Sequence, residues 1–242
     1  MPNAISLDRL RLASHVRACS CGHGVILLDL RCGRYLGISG TVSSTLAGHI
    51  DGWPPGYEPL DGHAAKRDSV HSAAQSLISR GILTQQPVDP TPTVSLEEAT
   101  ASLDAEATPG CGAFGVRHLL RFTTSFAAAA WALRFRSLQA IACSVATRRA
   151  RLPMPEAESV QAMRSDVAAY EALRPFVFTA REKCLLDSLT LVSFLAKEGL
   201  AARWVIGVKT NPFGAHSWVQ SGTTVLNDQH EYVCQFRPIL VV

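Results

Sequence analysis

The sequence lacks several features, and each absence excludes something. No apolar stretch is long enough to cross a bilayer. The longest mostly apolar run, Phe122–Leu133, is closed off by Arg121 and Arg134, so no membrane insertion is expected. The opening MPNAISLDRLRL has no signal-peptide apolar core, and seven cysteines is an odd number. The expected setting is therefore a reducing cytoplasm with free thiols. Charge is sparse at 18%, and a net charge of +3 is too mild to mark a nucleic-acid binder. The Gly-x-x-Gly pieces lack the Lys-Ser/Thr of a phosphate loop, so any ATP chemistry is expected in a partner. There is no C-x₂-C pair either. Cys19-x-Cys21-x-His23 with Cys32 reads as alternation along a strand, and neither a metal nor another cofactor is expected.

What is present is a globular balance. Hydrophobic residues make up 47% of 242, enough for one large or two small cores. Up to about Gln86, Leu10–Ala18, Val25–Leu30 and Arg34–Ile38 read as strands, the last two forming a hairpin around Arg31-Cys32-Gly33. Val42–Ile50 and Lys66–Arg80 read as helices. The second carries Val70, Ala73, Ala74, Leu77 and Ile78 on one face and stops at Gly81. Three strands followed by helices predict a small winged-helix-like domain over residues 1–86. Such a domain could bind DNA, but Asp68 interrupts Lys66, Arg67 and Arg80, which leaves a weak basic face. Residues 87–94 form a Pro-rich linker, and a second domain is expected over 95–242.

In that second domain, Ser95-x-x-Glu98 resembles a capping box and predicts a helix, broken at Thr108–Gly112. Val116–Arg151 reads as one helical stretch ending in the basic cluster Arg148-Arg149-Ala150-Arg151, as suits a solvated helix C-terminus. Ala157–Leu173 is a further amphipathic helix ended by Arg174-Pro175.

The chemistry gathers between Cys184 and Asp228. In REKCLLDSLTLVSFLAKEGL, Leu185, Leu189, Val192 and Ala196 form the stripe of a buried amphipathic helix. Thr179-x-x-Glu182 predicts its start and Gly199 its stop. Cys184 then lies within the first two turns, beside Arg181 and Lys183, where the helix dipole and the cations favour thiolate. Ala202–Val208, His216–Val219 and Thr223–Leu226 read as strands, with Ser221-Gly222 joining the last two. His216 would start one strand and Asp228 end its neighbour, bringing the side chains close. A helix-borne thiol, a strand-borne imidazole and a carboxylate are the parts of nucleophile, base and orienting acid.

This order resembles the transglutaminase-like cysteine peptidase fold. The strings CLLDSLTLVSFLAKEGL, AHSWVQ and LNDQHEYVCQFRPI are more closely similar to the leader peptidases of lasso-peptide gene clusters, their B proteins. LLDLRCGRYLGIS and SLISRGIL resemble the precursor-recognition domain of ribosomal-peptide modification systems. The resemblance implies an α+β protein in which a winged-helix-like recognition domain precedes a peptidase domain with a helix packed on an antiparallel sheet. It implies Cys184 as nucleophile, His216 as base and Asp228 as orienting acid, cutting a precursor between leader and core. The leader would add a strand beside Arg34–Ile38, touching Arg34, Tyr35, Leu36 and Ile38, and would pack on Val70, Ala74 and Leu77. The implied partners are the precursor peptide and an asparagine-synthetase-like cyclase. Two other readings stay open on the triad alone: an amine acyltransferase, or a peptide escort without enzymatic activity.

Overall fold

The computed structural model describes residues 10–22, 24–54, 67–87, 95–103, 115–152, 159–177 and 183–242. It is a mixed α/β protein of two compact units. The first comprises Met1–Thr93 together with Val208–Phe213, and the second Val94–Gly207 with Gly214–Val242.

The first unit runs β1 (Leu10–Leu12), β2 (Val16–Cys21), β3 (Gly24–Asp29), β4 (Arg34–Ser39), α1 (Gly40–Ala47), β5 (Ile50–Asp51), α2 (Arg67–Ser79) and β6 (Leu83–Thr84). The strand expected over Leu10–Ala18 is two strands. A tight turn at Ala13, closed by Val16 N–H to Ala13 O at 2.9 Å, sends β1 and β2 into different sheets. β2, β3 and β4 form an antiparallel meander, and β1 lies between β5 and β6. Helix α2 ends in a Schellman turn. Gly81 takes φ +70°, and Ile82 N–H reaches Leu77 O at 2.9 Å. The core of this unit joins Leu10, Val16, Val25, Leu27 and Leu46 to Val70, Ala74 and Leu77 of α2.

The second unit contains β7 (Ala101–Ser102), α3 (Val116–Phe135), α4 (Leu138–Arg149) and α5 (Ser159–Leu173), followed by a 3₁₀ turn, Arg174–Phe176. Next come α6 (Cys184–Ala196), β8 (Arg203–Lys209, whose last two residues fall in the first unit), β9 (Gly214–Ser221), β10 (Thr224–Val225), α7 (His230–Val233) and β11 (Arg237–Val241). Three expectations fail here. Residues 95–100 are not helical. The Gln220 amide donates to Glu97 O, and Thr100 and Leu103 N–H bond to Thr223 O and Val225 O, so this segment edges the sheet as β7. The helical run Val116–Arg151 is two helices, because Ser137 is extended and its hydroxyl caps α4 by accepting Ala140 N–H. The sheet, ordered β11-β8-β9-β10-β7, is mixed rather than antiparallel, since β10 runs antiparallel to β9 and parallel to β7.

Helix α6 is the axis of this unit, packed by α3, α4 and α5 and by β9. It is buried nearly all round, from Asp187 to Val192 and at Phe194 and Leu195. The one-sided stripe expected for it is therefore replaced by burial on several faces. Gly199 at φ +79° reverses the chain after it, with Leu200 N–H reaching Leu195 O. Among the described residues, no helix is long and apolar enough to cross a membrane.

Candidate active site

Cys184 is the first residue of α6. The expected capping box, Thr179-x-x-Glu182, lies outside the described residues, as does Arg181. The N-cap is Lys183, with no side-chain cap. The thiol thus stands at the positive end of the helix, where the first-turn N–H groups have no intrahelical acceptor. His216 is the third residue of β9. Asp228 does not end a strand: β10 stops at Val225, and Asp228 sits three residues beyond, in the loop entering α7.

The three side chains meet. His216 Nε2 and Asp228 Oδ2 are 2.7 Å apart, and Gln229 N–H donates to Asp228 Oδ1 at 2.8 Å. The same ring also hydrogen-bonds the Cys184 thiol. Burial would raise the Cys184 pKa. The imidazole bond and charge and the N–H groups of Ser217 and Leu185 outweigh it, and the thiol is held below its usual value. Burial likewise opposes protonation of His216, yet Asp228 and the thiolate lift it to about 9. Burial pushes Asp228 up too, and the His216 bond, Gln229 N–H and Arg174 bring it below the usual carboxylate range. Together these shifts favour a thiolate–imidazolium pair, an activated nucleophile with its acid in place.

Aromatic rings surround the imidazole: Trp218 nearly parallel at 6.2 Å, Tyr232 edge-on at 5.1 Å and Phe236 tilted at 5.3 Å. Gly207 of β8 leaves room for this wall, since a Cβ there would come within 2.7 Å of Trp218.

Two buried polar clusters fix the helix against the strand, and sequence reasoning missed both. Ser188, one turn along α6 from Cys184, meets Ser217, the neighbour of His216, hydroxyl to hydroxyl at 2.7 Å. Trp204 Nε1–H is shared between them at 3.0 and 2.9 Å, and the Ser217 hydroxyl donates to Val205 O. The second cluster centres on Asp187. It accepts from Tyr170 Oη and Asn227 Nδ2, both at 2.8 Å, with Arg174 Nη1 at 3.6 Å. The available signal is the adjacent polar pair Asp187-Ser188 inside a mostly apolar helix.

The peptide-contact residues fall apart into two sets. Arg34 is exposed on β4, and Tyr35, Leu36 and Ile38 are half-buried there. Val70, Ala74 and Leu77 are 4, 2 and 2% exposed and form part of the unit's core. They cannot also face a ligand, which corrects the expectation for α2. His23, a member of the Cys19–Cys21–Cys32 set, lies outside the described residues. Among those described, no group of three or more His, Cys, Asp or Glu side chains could hold a metal ion.

Residues 123–241 match the family model described as the transglutaminase-like superfamily. The Microcin J25-processing protein McjB of Escherichia coli is 44% identical over 48 residues, which is 20% of this chain. The chain spans 23% of the length of that curated relative. No solved structure matches it. The span that matches the transglutaminase-like superfamily includes Cys184, His216 and Asp228.

Proposed function

We propose that this chain is the leader peptidase of a lasso-peptide system. The observation that carries the reading is the hydrogen-bonded series Cys184–His216–Asp228 at the N-terminus of α6. The match to the processing protein McjB supports the pathway. The Cys184 thiolate attacks the carbonyl carbon of the last leader residue. Imidazolium at His216 then gives its proton to the departing amine, which becomes the N-terminus of the core peptide. Neutral His216 takes a proton from water, and the resulting hydroxide equivalent cleaves the thioester, freeing the leader acid and the thiol. Asp228 keeps Nε2 protonated, so Nδ1 faces the sulfur, and stabilises the charged ring. The N–H groups at the start of α6 suit a developing oxyanion.

Leader capture belongs to the first unit. Among the described residues no strand pairs with the outer edge of β4, so an extended leader can add there by backbone hydrogen bonds. Holding the leader raises the effective concentration of the scissile bond. The freed core amine would pass to a partner cyclase.

The test is mass spectrometry of a lasso precursor incubated with wild type and with Cys184→Ala, each with and without the cyclase. Two fragments meeting at the leader–core junction, formed only by the wild type, are expected. An intact precursor under all four conditions would sink the peptidase reading.

A further inference from the structure

Beyond the three residues that would carry the reaction, the geometry points to a fourth: Asp187 is a positioning residue that pins the Asp228 loop, and through it the His216 ring, against Cys184. The inference rests on the peptidase reading and deepens it.

Asp187 is 1% exposed and lies one turn along α6 from Cys184. A carboxylate in such a place is costly unless both oxygens are satisfied, and both are. Oδ1 accepts from Tyr170 of α5, whose hydroxyl also reaches Asp187 O at 3.0 Å. Oδ2 accepts from Asn227, and the Asn227 Oδ1 in turn accepts Val219 N–H of β9 at 2.9 Å. One side chain therefore joins the helix bearing Cys184, the strand bearing His216 and the loop bearing Asp228. That loop needs a tether. Its last backbone bond to β9 is Leu226 N–H to Val219 O, and beyond it the Asn227 side chain takes over. The other charged or titratable groups facing Asp187 are Arg174, whose Nη1 also lies 3.9 Å from Glu171 Oε1, and Asp228 itself. A merely space-filling role would be served as well by an apolar residue, which avoids burying a charge.

The test reads the Cys184–His216 pair without substrate. Full-length protein is alkylated with iodoacetamide across a pH series, and the Cys184 peptide is quantified by mass spectrometry against that of exposed Cys143. In the wild type Cys184 should outpace Cys143 at acid pH. If it does not, the peptidase reading falls and takes this inference with it. Asp187→Ala should slow Cys184 about ten-fold at low pH, one pK unit of thiolate stabilisation, with the high-pH rate unchanged. Asp187→Asn should restore the wild-type profile, since its amide oxygen still accepts from Asn227 and its NH₂ can turn to the Tyr170 oxygen. A wild-type profile in Asp187→Ala overturns the proposal while leaving the peptidase reading intact. So does an Asn variant as slow as Ala, because charge rather than tethering would then be at work. Should Asp187→Ala fail to fold, Asn227→Ala cuts the same tether from the loop side, and an unshifted profile there is equally fatal.

Discussion

Cys184 sits where two opposing influences are resolved by its neighbours. Burial raises a thiol, and here His216 with two backbone N–H groups overcomes it. The consequence for pH dependence follows in sign. From the lowered thiol pKa up to about 9, thiolate and imidazolium coexist; above about 9 the ring loses its proton. In the proposed mechanism cleavage needs that proton for the leaving amine, whereas alkylation needs only the thiolate. Precursor cleavage is therefore expected to fall above pH 9 while Cys184 alkylation stays level. Parallel pH profiles of the two reactions check this, and a common upper limb would count against the roles assigned. That a thiol, an imidazole and a carboxylate come together was legible, because each stands in a local pattern of helix, strand or turn. Asp187, Tyr170 and Asn227 were not legible. Their partners lie 17 and 40 residues apart in sequence, and no local period encodes such a meeting.

Between α6 and β9 the contact is polar at its centre. The indole N–H of Trp204, fully buried, divides itself between the hydroxyls of Ser188 and Ser217. Removing one hydroxyl leaves the other to accept it, so Ser188→Ala or Ser217→Ala alone should cost about 1 kcal/mol. Removing both strands a buried donor, and the double variant should lose about 1–3 kcal/mol beyond the sum. Chemical denaturation of the four proteins in a double-mutant cycle measures the excess, and strict additivity would refute the sharing. Elements were read well where the signal was local, as at Gly81 and Gly199, whose left-handed backbone ends α2 and α6. They were misread where tertiary bonds decide. Ser95-x-x-Glu98 looks like a helix start, yet Gln220 and β10 claim its backbone for the sheet. α3 leaves Val116, Leu120, Trp131 and Phe135 exposed, so periodicity hides the break at Ser137.

On the proposed reading the two units carry two separable functions, holding a peptide and cutting it. Gly37→Pro in β4, whose N–H faces the outer edge, or Tyr35→Glu should weaken leader binding at least ten-fold in fluorescence anisotropy, because a backbone donor or a packing surface is lost. The same variants should alkylate at Cys184 like the wild type, and equal loss of both properties would undo the division. Composition left one large or two small cores open, and the Pro-rich stretch at 87–94 suggested the division. Which α2 residues fill one of them did not follow, since a helix face that packs inward looks in sequence like one that awaits a ligand. The outer edge of β4 carries a last implication. Its register with β3 runs unbroken from Arg34 to Ser39, without a bulge, and it has no proline of the kind that Pro238 supplies to the edge strand β11. Such an edge is a template for its own kind as much as for a leader. On the proposed reading, storage at high concentration without leader is expected to favour self-association edge to edge and added leader peptide to reverse it, which sedimentation with and without the peptide checks.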